Sequence, residues 1–317
     1  MKKLIVGLLV MINSCFVQAL PTAKATILVV DESGVPLEGI DTGLGFSRPK
    51  KTGWGSKSAG NRGLTNKEGK FISSGATEEI IRYGARHPDY YTSRYEFTAF
   101  TGINGIIGFR KWQPWNPTLK VVLKKIKKPI AMYAYYTDWV EIPKKDGFIG
   151  YDLKKHDWVS PYGKGMISDL LVKFEGMYES HLNYDLQLSI KFSNLADGLQ
   201  KFSSLDSKGS NLISAHHAPL ENYKSTLTHN ASKAPKTYWK ESYSESANYY
   251  FRVRCNDKDL ESCLYGKIYG DIEFTRKGSL RFKYFLNPTA GDTNVEFDPK
   301  RNLFKNLKTT MHEVNQP

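Results

Sequence analysis

Two pairs of carboxylates sit at strand spacing in the last third of the chain, Asp271 with Glu273 and Glu296 with Asp298. Side chains at i and i+2 fall on one face of a strand, roughly 7 Å apart by the strand rise. That separation suits the two acids of a glycosidase or the oxygen ligands of calcium. It is also the pattern of any solvated strand. Asp292, Thr293 and Asn294 add oxygens beside the second pair, but the glycine and terminal glutamate of an EF-hand loop are not matched. The histidines are scattered, and His216-His217 is the only cluster. Adjacent residues of a strand point to opposite faces, so these two read as a surface pair and not as joint metal ligands. H-E-x-x-H and G-x-S-x-G are both absent. Gly55-Ser56-Lys57-Ser58 lacks the spaced first glycine of a phosphate loop, because position 50 is Lys. No catalytic residue, metal ligand or cofactor site is therefore assigned. Carboxylates of the second half remain the alternative, as a hydrolase of envelope polysaccharide or peptide.

The first half offers binding chemistry instead. From Phe46 to Asn61 the chain is basic and glycine-rich, with Arg48, Lys50, Lys51 and Lys57, Arg62 just beyond, and Trp54 in the middle. It reads as a long loop, either a plain surface loop or a ligand-contacting one on a rigid scaffold. Trp112 and Trp115 follow in the run WQPWNP, whose prolines force extended or turn backbone. Aromatic faces stack on sugar rings, so the three tryptophans with their basic neighbours suit an anionic glycan or envelope polymer. For Trp112 and Trp115 the competing reading, capping a core or sealing a domain interface, carries more weight.

The elements that must position these residues are strands. Aromatics reach 13% of the chain, with 19 Tyr and 16 Phe, a bias toward β-structure. Residues 184–192 (YDLQLSIKF) and 279–286 (SLRFKYFL) alternate apolar and polar with period two. Residues 26–31, 71–74, 80–85, 95–100, 119–126 and 170–174 read as further strands. Residues 203–210 and 225–236 read as polar loops. Residues 130–136 (IAMYAYY) are too apolar for water and are expected to pack between two domains. The formal charge is +13. Its densest run, KVVLKKIKK over 120–128, alternates with apolar residues as an edge strand does, so nucleic acid is not a predicted partner.

The N-terminus reads as an export signal: Lys2 and Lys3, an apolar run from Leu4 to Ile12, then Val17-Gln18-Ala19 at a small-x-small cleavage site. The apolar run is far shorter than the ~20 residues a membrane-spanning helix needs. Lipidation at Cys15 is a second, less favoured route, since Asn13 fits a lipobox poorly. Cleavage after Ala19 would leave Cys255 and Cys263, and an even count in an oxidising compartment predicts one disulfide between them.

Two segments carry a family likeness: Val29-Val30-Asp31-Glu32-Ser33-Gly34-Val35-Pro36-Leu37-Glu38-Gly39, and Thr65-Asn66-Lys67-Glu68-Gly69-Lys70-Phe71. An apolar strand runs into an acidic-glycine turn, and a second turn leads into an aromatic strand. Residues 25–127 thereby resemble a carboxypeptidase regulatory-like domain, a small transthyretin-like β-sandwich. The likeness implies an accessory module that binds, supports or spaces, and it supplies no metal ligands. The whole chain is similar to a group of bacterial exported proteins of unassigned function, through Trp115-Asn116-Pro117-Thr118, Leu123-Lys124-Lys125-Ile126 and the stretch from Glu296 to Phe304. The expected architecture is mostly β: a signal peptide (1–19), a transthyretin-like or Ig-like sandwich (20–128), a second β-rich domain (129–310) and a tail (311–317). The expected role is a non-catalytic binding or structural module of the envelope. Its partner would be an envelope polysaccharide or protein, and no transmembrane segment would remain in the mature chain.

Overall fold

A computed structural model describes residues 20–49, 56–106, 109–145, 147–203, 209–244, 246–256, 259–305, 307, 312 and 314–317. Among them the fold is β throughout, with one 3-10 turn at Leu260–Ser262. The chain divides into two compact units. One holds the chain up to Arg86 together with Arg94–Val121, and the other holds His87–Ser93 together with Val122–Pro317. The division falls at Val121, where the sequence reading sets its boundary at residue 128.

In order, the first strands are β1 (Thr22–Val30), β2 (Asp41–Pro49), β3 (Ser56–Leu64), β4 (Lys70–Ala76), β5 (Ile81–His87), β6 (Tyr90–Phe97), β7 (Gly102–Asn104), β8 (Lys111–Gln113) and β9 (Thr118–Val122). They form one sheet ordered β4-β1-β8-β7, with β9 also on β1, and another ordered β3-β2-β5-β6. Period-two patterning buries Ala23, Ala25, Ile27 and Val29 of β1, and Leu44 and Phe46 of β2. The two sequence segments singled out above meet: the Val29 N–H donates to the Gly69 carbonyl at 2.8 Å, and the Leu37 N–H to the Val29 carbonyl at 3.0 Å. Gly69 has φ 69°, and a Cβ there would crowd Pro36 and the Val29 carbonyl.

The glycine-rich stretch is not a long loop. Residues 46–49 and 56–61 are strand, paired from Asp41↔Leu64 to Pro49↔Ser56. Its Gly60 and the nearby Gly63 and Gly75 serve packing: a Cβ at Gly60 would come to 3.0 Å from the Leu44 carbonyl oxygen, and side chains at Gly63 and Gly75 would collide with the rings of Phe71 and Phe46. Small residues here make room for aromatic rings and a close backbone approach.

The second unit contains β10 (Ile130–Tyr136), β11 (Val140–Glu141), β12 (Ile149–Asp152), β13 (Asp157–Trp158), β14 (Leu170–Ser180), β15 (Asn183–Lys191), β16 (Gly198–Ser203), β17 (Thr226–Lys233), β18 (Lys240–Glu241), β19 (Ala247–Val253), β20 (Leu264–Phe274), β21 (Ser279–Leu286) and β22 (Phe297–Asn302). A seven-stranded sheet runs β16-β19-β20-β21-β10-β22, with β11 beside β21, and a six-stranded sheet runs β13-β12-β14-β15-β17-β18. Their facing sides share one core: Val172, Phe174, Leu186, Leu188 and Ile190 from the second sheet meet Tyr249, Phe251, Ile268, Phe282 and Tyr284 from the first. The alternation expected in residues 184–192 and 279–286 is present.

The outer face of the seven-stranded sheet is buried as well, by Ala218, Val295 and Val314 over Met132, Ala134, Tyr265 and Phe285. This corrects the reading of residues 130–136. The apolar run is β10, hydrogen-bonded between β21 and β22, and both its faces are covered inside the unit. A strand buried on both sides reads as a continuous apolar run. The predicted tail also takes part, since Val314 is buried in that outer core. Residues 226–233, expected as polar loop, form β17 in continuous register with β15. Of its inward positions Leu227 is only partly buried, and the two buried ones, His229 and Ala231, are too polar and too small to signal a strand. Cys255 and Cys263 are joined, tying the end of β19 to the start of β20.

Candidate functional site

The sequence-selected binding residues of the first unit, where they are described, lie on β2, β3, β8 and just after β8. The Arg48 Nε donates to the Ala76 carbonyl at 3.0 Å. Arg62 lies 3.7 Å from an Asp41 oxygen. Lys57 sits in β3 opposite Arg48. Trp112 is buried, its indole N–H donating to the Thr77 carbonyl at 3.0 Å and its ring 4.8 Å from that of Phe100. Trp115 is partly exposed beneath the Lys111 ammonium, 4.9 Å away. Trp54, Lys50 and Lys51 lie outside the described residues.

The four carboxylates paired in the sequence, Asp271, Glu273, Glu296 and Asp298, have internal partners. Glu296 is buried and accepts from the Tyr91 hydroxyl at 2.8 Å and from the backbone N–H groups of Lys127 and Lys128 at 2.9 and 2.8 Å. Asp298 pairs with Arg301 at 2.7 Å. Glu273 is paired with Arg281. Asp271 is buried and accepts from the Tyr249 hydroxyl at 2.6 Å, the Ser244 N–H at 2.8 Å and the Ile272 N–H at 2.9 Å. His229 Nε2 stands 2.9 Å from the same carboxylate, out of line for a hydrogen bond. Burial raises the Asp271 pKa, but its bonds and the histidine outweigh that and hold it below the usual carboxylate range. A glycosidase acid needs a raised pKa and a free face, and Asp271 has neither.

His216 is not a surface residue. It is buried with Nε2 2.8 Å from the Lys125 carbonyl, while His217 is exposed. Among the described residues no group of three His, Cys, Asp or Glu is placed to hold a metal ion.

Sequence motifs do not reveal a cluster around Lys267. This lysine is fully buried, with Nζ donating to the Tyr269 hydroxyl at 2.8 Å and to Ser214 Oγ at 3.2 Å. Burial drives its pKa well down, with Lys124 adding to the effect and Glu296 opposing it. A serine beside a lysine whose pKa is depressed is a nucleophile geometry, but Ser214 is fully buried too, so no substrate reaches it in this structure.

What faces solvent is the hairpin joining β17 to β18. Ala231 pairs with Glu241 and Ser232 with Lys240. At its tip the Thr237 N–H donates to the Ala234 carbonyl at 3.1 Å. Pro235 and then Lys236, at φ 62°, occupy the central positions. A positive φ there usually calls for glycine, and a lysine held so costs on the order of 1 kcal/mol. Tyr238 is 92% exposed and Trp239 59%. Among the described residues Lys233, Lys236 and Lys240 have no ion-pair partner. The hairpin is pinned from below: Ser242 Oγ accepts the Asn230 N–H at 2.7 Å, and Ser244 bonds Asp271. Asp271, a chemistry candidate in the sequence, thus positions this hairpin. A lone Tyr-Trp between lysines in a polar stretch is the only signal the sequence offers for it.

Beside Asp271 the seven-stranded sheet carries a cleft of about 410 Å³ lined by Tyr136, Gly270, Glu273, Arg281 and Lys283 among others. It lies at a bulge: Tyr269 pairs with Lys283 and Glu273 with Arg281, so β20 holds extra residues across this step. Gly270, at φ 81°, is among them. Lys283 Nζ lies 6.0 Å from the centroid of the Tyr136 ring.

No protein-family description matches this chain, and no curated protein does. Among solved structures it is similar to a point mutant of the shaft pilin SpaA from Lactobacillus rhamnosus GG. That match has 9% identity and a TM-score of 0.23, and covers 86% of this chain and 95% of that one. It is also similar to a candidate carbohydrate-binding protein from Bacteroides uniformis, at 11% identity and a TM-score of 0.18, over 83% and 96% of the two chains. Scores this low identify neither a shared fold nor a shared role.

Proposed function

We propose that this chain is an exported, non-catalytic binding module of the bacterial envelope, and that it holds an anionic glycan or similar envelope polymer on the β17–β18 hairpin. The observation that carries the reading is the contrast in commitment. Asp271, Glu273, Glu296 and Asp298 are spent on internal partners, whereas Tyr238 and Trp239 stand in solvent among uncommitted lysines. Aromatic rings offer stacking area, and the lysines offer screened attraction to acidic groups. The disulfide and the signal-like N-terminus support export. The first unit is read as a carboxypeptidase regulatory-like spacer, on the meeting of residues 29–39 with 65–71. The hydrolase alternative is not adopted, because the two carboxylate pairs singled out in the sequence are each bonded or ion-paired within the chain.

The test is binding of the full mature chain to a panel of acidic and neutral envelope polysaccharides at low and high salt. Acidic polymers should bind, and more weakly as salt screens the lysines beyond roughly 10 Å at 0.1 M. Trp239→Ala should cost about tenfold in affinity, the equivalent of ~1.4 kcal/mol, with the melting temperature unchanged. If Trp54→Ala removes binding and Trp239→Ala does not, the ligand surface belongs to the β2–β3 hairpin with Arg48, Lys57 and Arg62.

A further inference from the structure

We infer that the cleft at the β20–β21 bulge is an oxyanion site, in which Lys283 receives a carboxylate or phosphate group of a ligand. The other charges at the cleft already have partners. Arg281 is paired with Glu273, and its guanidinium also lies 4.2 Å from the centroid of the Trp139 ring. The Asp271 carboxylate is filled by Tyr249, Ser244 and Ile272. Lys283 alone has, among the described residues, no hydrogen bond and no ion pair.

Its setting makes that unusual. Lys283 stands in a cross-strand row between Tyr136 of β10 and Tyr269 of β20, half-buried. A cation withdrawn from water without a counter-charge is costly. Burial alone moves its pKa below the usual lysine value, with no carboxylate close enough to offset it. An arriving oxyanion supplies the missing charge. There is room beside it: at Gly270, next to Tyr269, a Cβ would meet nothing within 4 Å, and the cleft volume falls within the ~300–1,000 Å³ usual for small ligands. The Tyr136 ring gives the ligand an apolar wall. This site is separate from the hairpin tip and does not depend on what the tip binds.

Thermal melts of the full mature chain test it, using inorganic phosphate, glucuronate and neutral glucose at constant ionic strength. Phosphate or glucuronate should raise the melting temperature by about 3 °C at roughly ten times its Kd, and glucose should not. A rise with both anions marks a general oxyanion site, and a rise with one alone tells carboxylate from phosphate. Lys283→Met should abolish the rise, Lys283→Arg should keep it, and Trp239→Ala should leave it untouched. Independently of any variant, trace acetylation mapped by mass spectrometry should show Lys283 labelled and then protected by the anion. A rise that survives in Lys283→Met, or wild-type protein with neither a rise nor protection, overturns the site.

Discussion

Lys267 and Lys283 stand on adjacent strands of one sheet, on the same face, and one is sealed while the other is open. In register, Lys267 lies opposite Phe285 and Lys283 opposite Tyr269, so only one cross-strand step separates their rows. The Lys267 row runs through Ala134, Phe285 and Tyr250, all part of the outer core covered by Ala218, Val295 and Val314. The Lys283 row runs through Tyr136 and Tyr269 and meets the cleft. Sheet geometry is the same for both. The difference comes from segments outside the strands, which cover the first row and bury only Tyr269 of the second, leaving Lys283 half-buried. A covered lysine spends its donors on Tyr269 and Ser214 and becomes structure. An uncovered one keeps its donors for a ligand.

A buried cation with carboxylates around it should behave like neither lysine, and Arg254 provides that case. Its guanidinium donates to Asp169 at 2.7 and 2.8 Å and to Asp152 at 3.0 Å, and it holds a left-handed backbone at φ 59°. Burial raises the Asp169 pKa, with the Arg254 bonds pulling the other way. Arg254→Ala would strand two buried carboxylates, and should cost about 3 kcal/mol or more in urea unfolding of the full chain. A loss below about 1 kcal/mol would mean the pair is as weak as a surface one, and cover would not be what sets the value of these charges.

The bulge that follows the Lys283 row, on the side away from Lys267, can be stiffened directly. Gly270 has φ 81°, and a Cβ added there would meet open space, so Gly270→Ala meets strain and no clash. It should destabilise by about 1 kcal/mol, read as a shift in the unfolding midpoint at constant m-value. A much larger loss would show that the bulge is needed to close the Lys267 side as well as to open the Lys283 side.

The same contrast between covered and open faces decides what is legible in the sequence. Strands with one mostly polar face announce themselves: Leu186, Leu188 and Ile190, and Leu280, Phe282 and Tyr284, alternate in the sequence and are buried in the structure. β10 is visible as an apolar run, but its place is not, because a run buried on both faces looks the same whether its cover is another domain or its own sheet. β2, β3 and β17 look like loops, since glycines that admit rings and a buried histidine carry no apolar period. The candidate site is less legible still. Period-two reasoning places Asp271 and Glu273 on one face, yet Asp271 is bonded to Tyr249 and Ser244 and Glu273 to Arg281. Neither the bulge at Gly270 nor the segments that cover Lys267 can be read from a local pattern. Trp239 and Lys283 escape a sequence reading for that reason.

The smallest expected effect isolates Lys267 itself. Lys267→Met removes an amine and retains the length of the side chain. Ser214 Oγ and the Tyr269 hydroxyl, 3.1 Å apart, can then bond each other, so no polar group is left orphaned. Stability near neutral pH should change by less than about 1 kcal/mol, the lost bonds being offset by the relieved burial of the amine. The sharper signature is in pH. Between its depressed folded pKa and the usual lysine value of 10.5, the unfolded chain holds a proton that the folded chain does not. Stability of the wild type therefore climbs with pH across that window. The variant should lose this slope, so that the difference between the two proteins changes as the pH rises toward 10.5, while groups common to both cancel. Lys283→Met should leave a far smaller difference, because that amine is only half withdrawn from water. Parallel pH profiles for wild type and Lys267→Met would show that Lys267 keeps its proton in the fold, and the distinction between the covered and the open lysine would then have to rest on access alone.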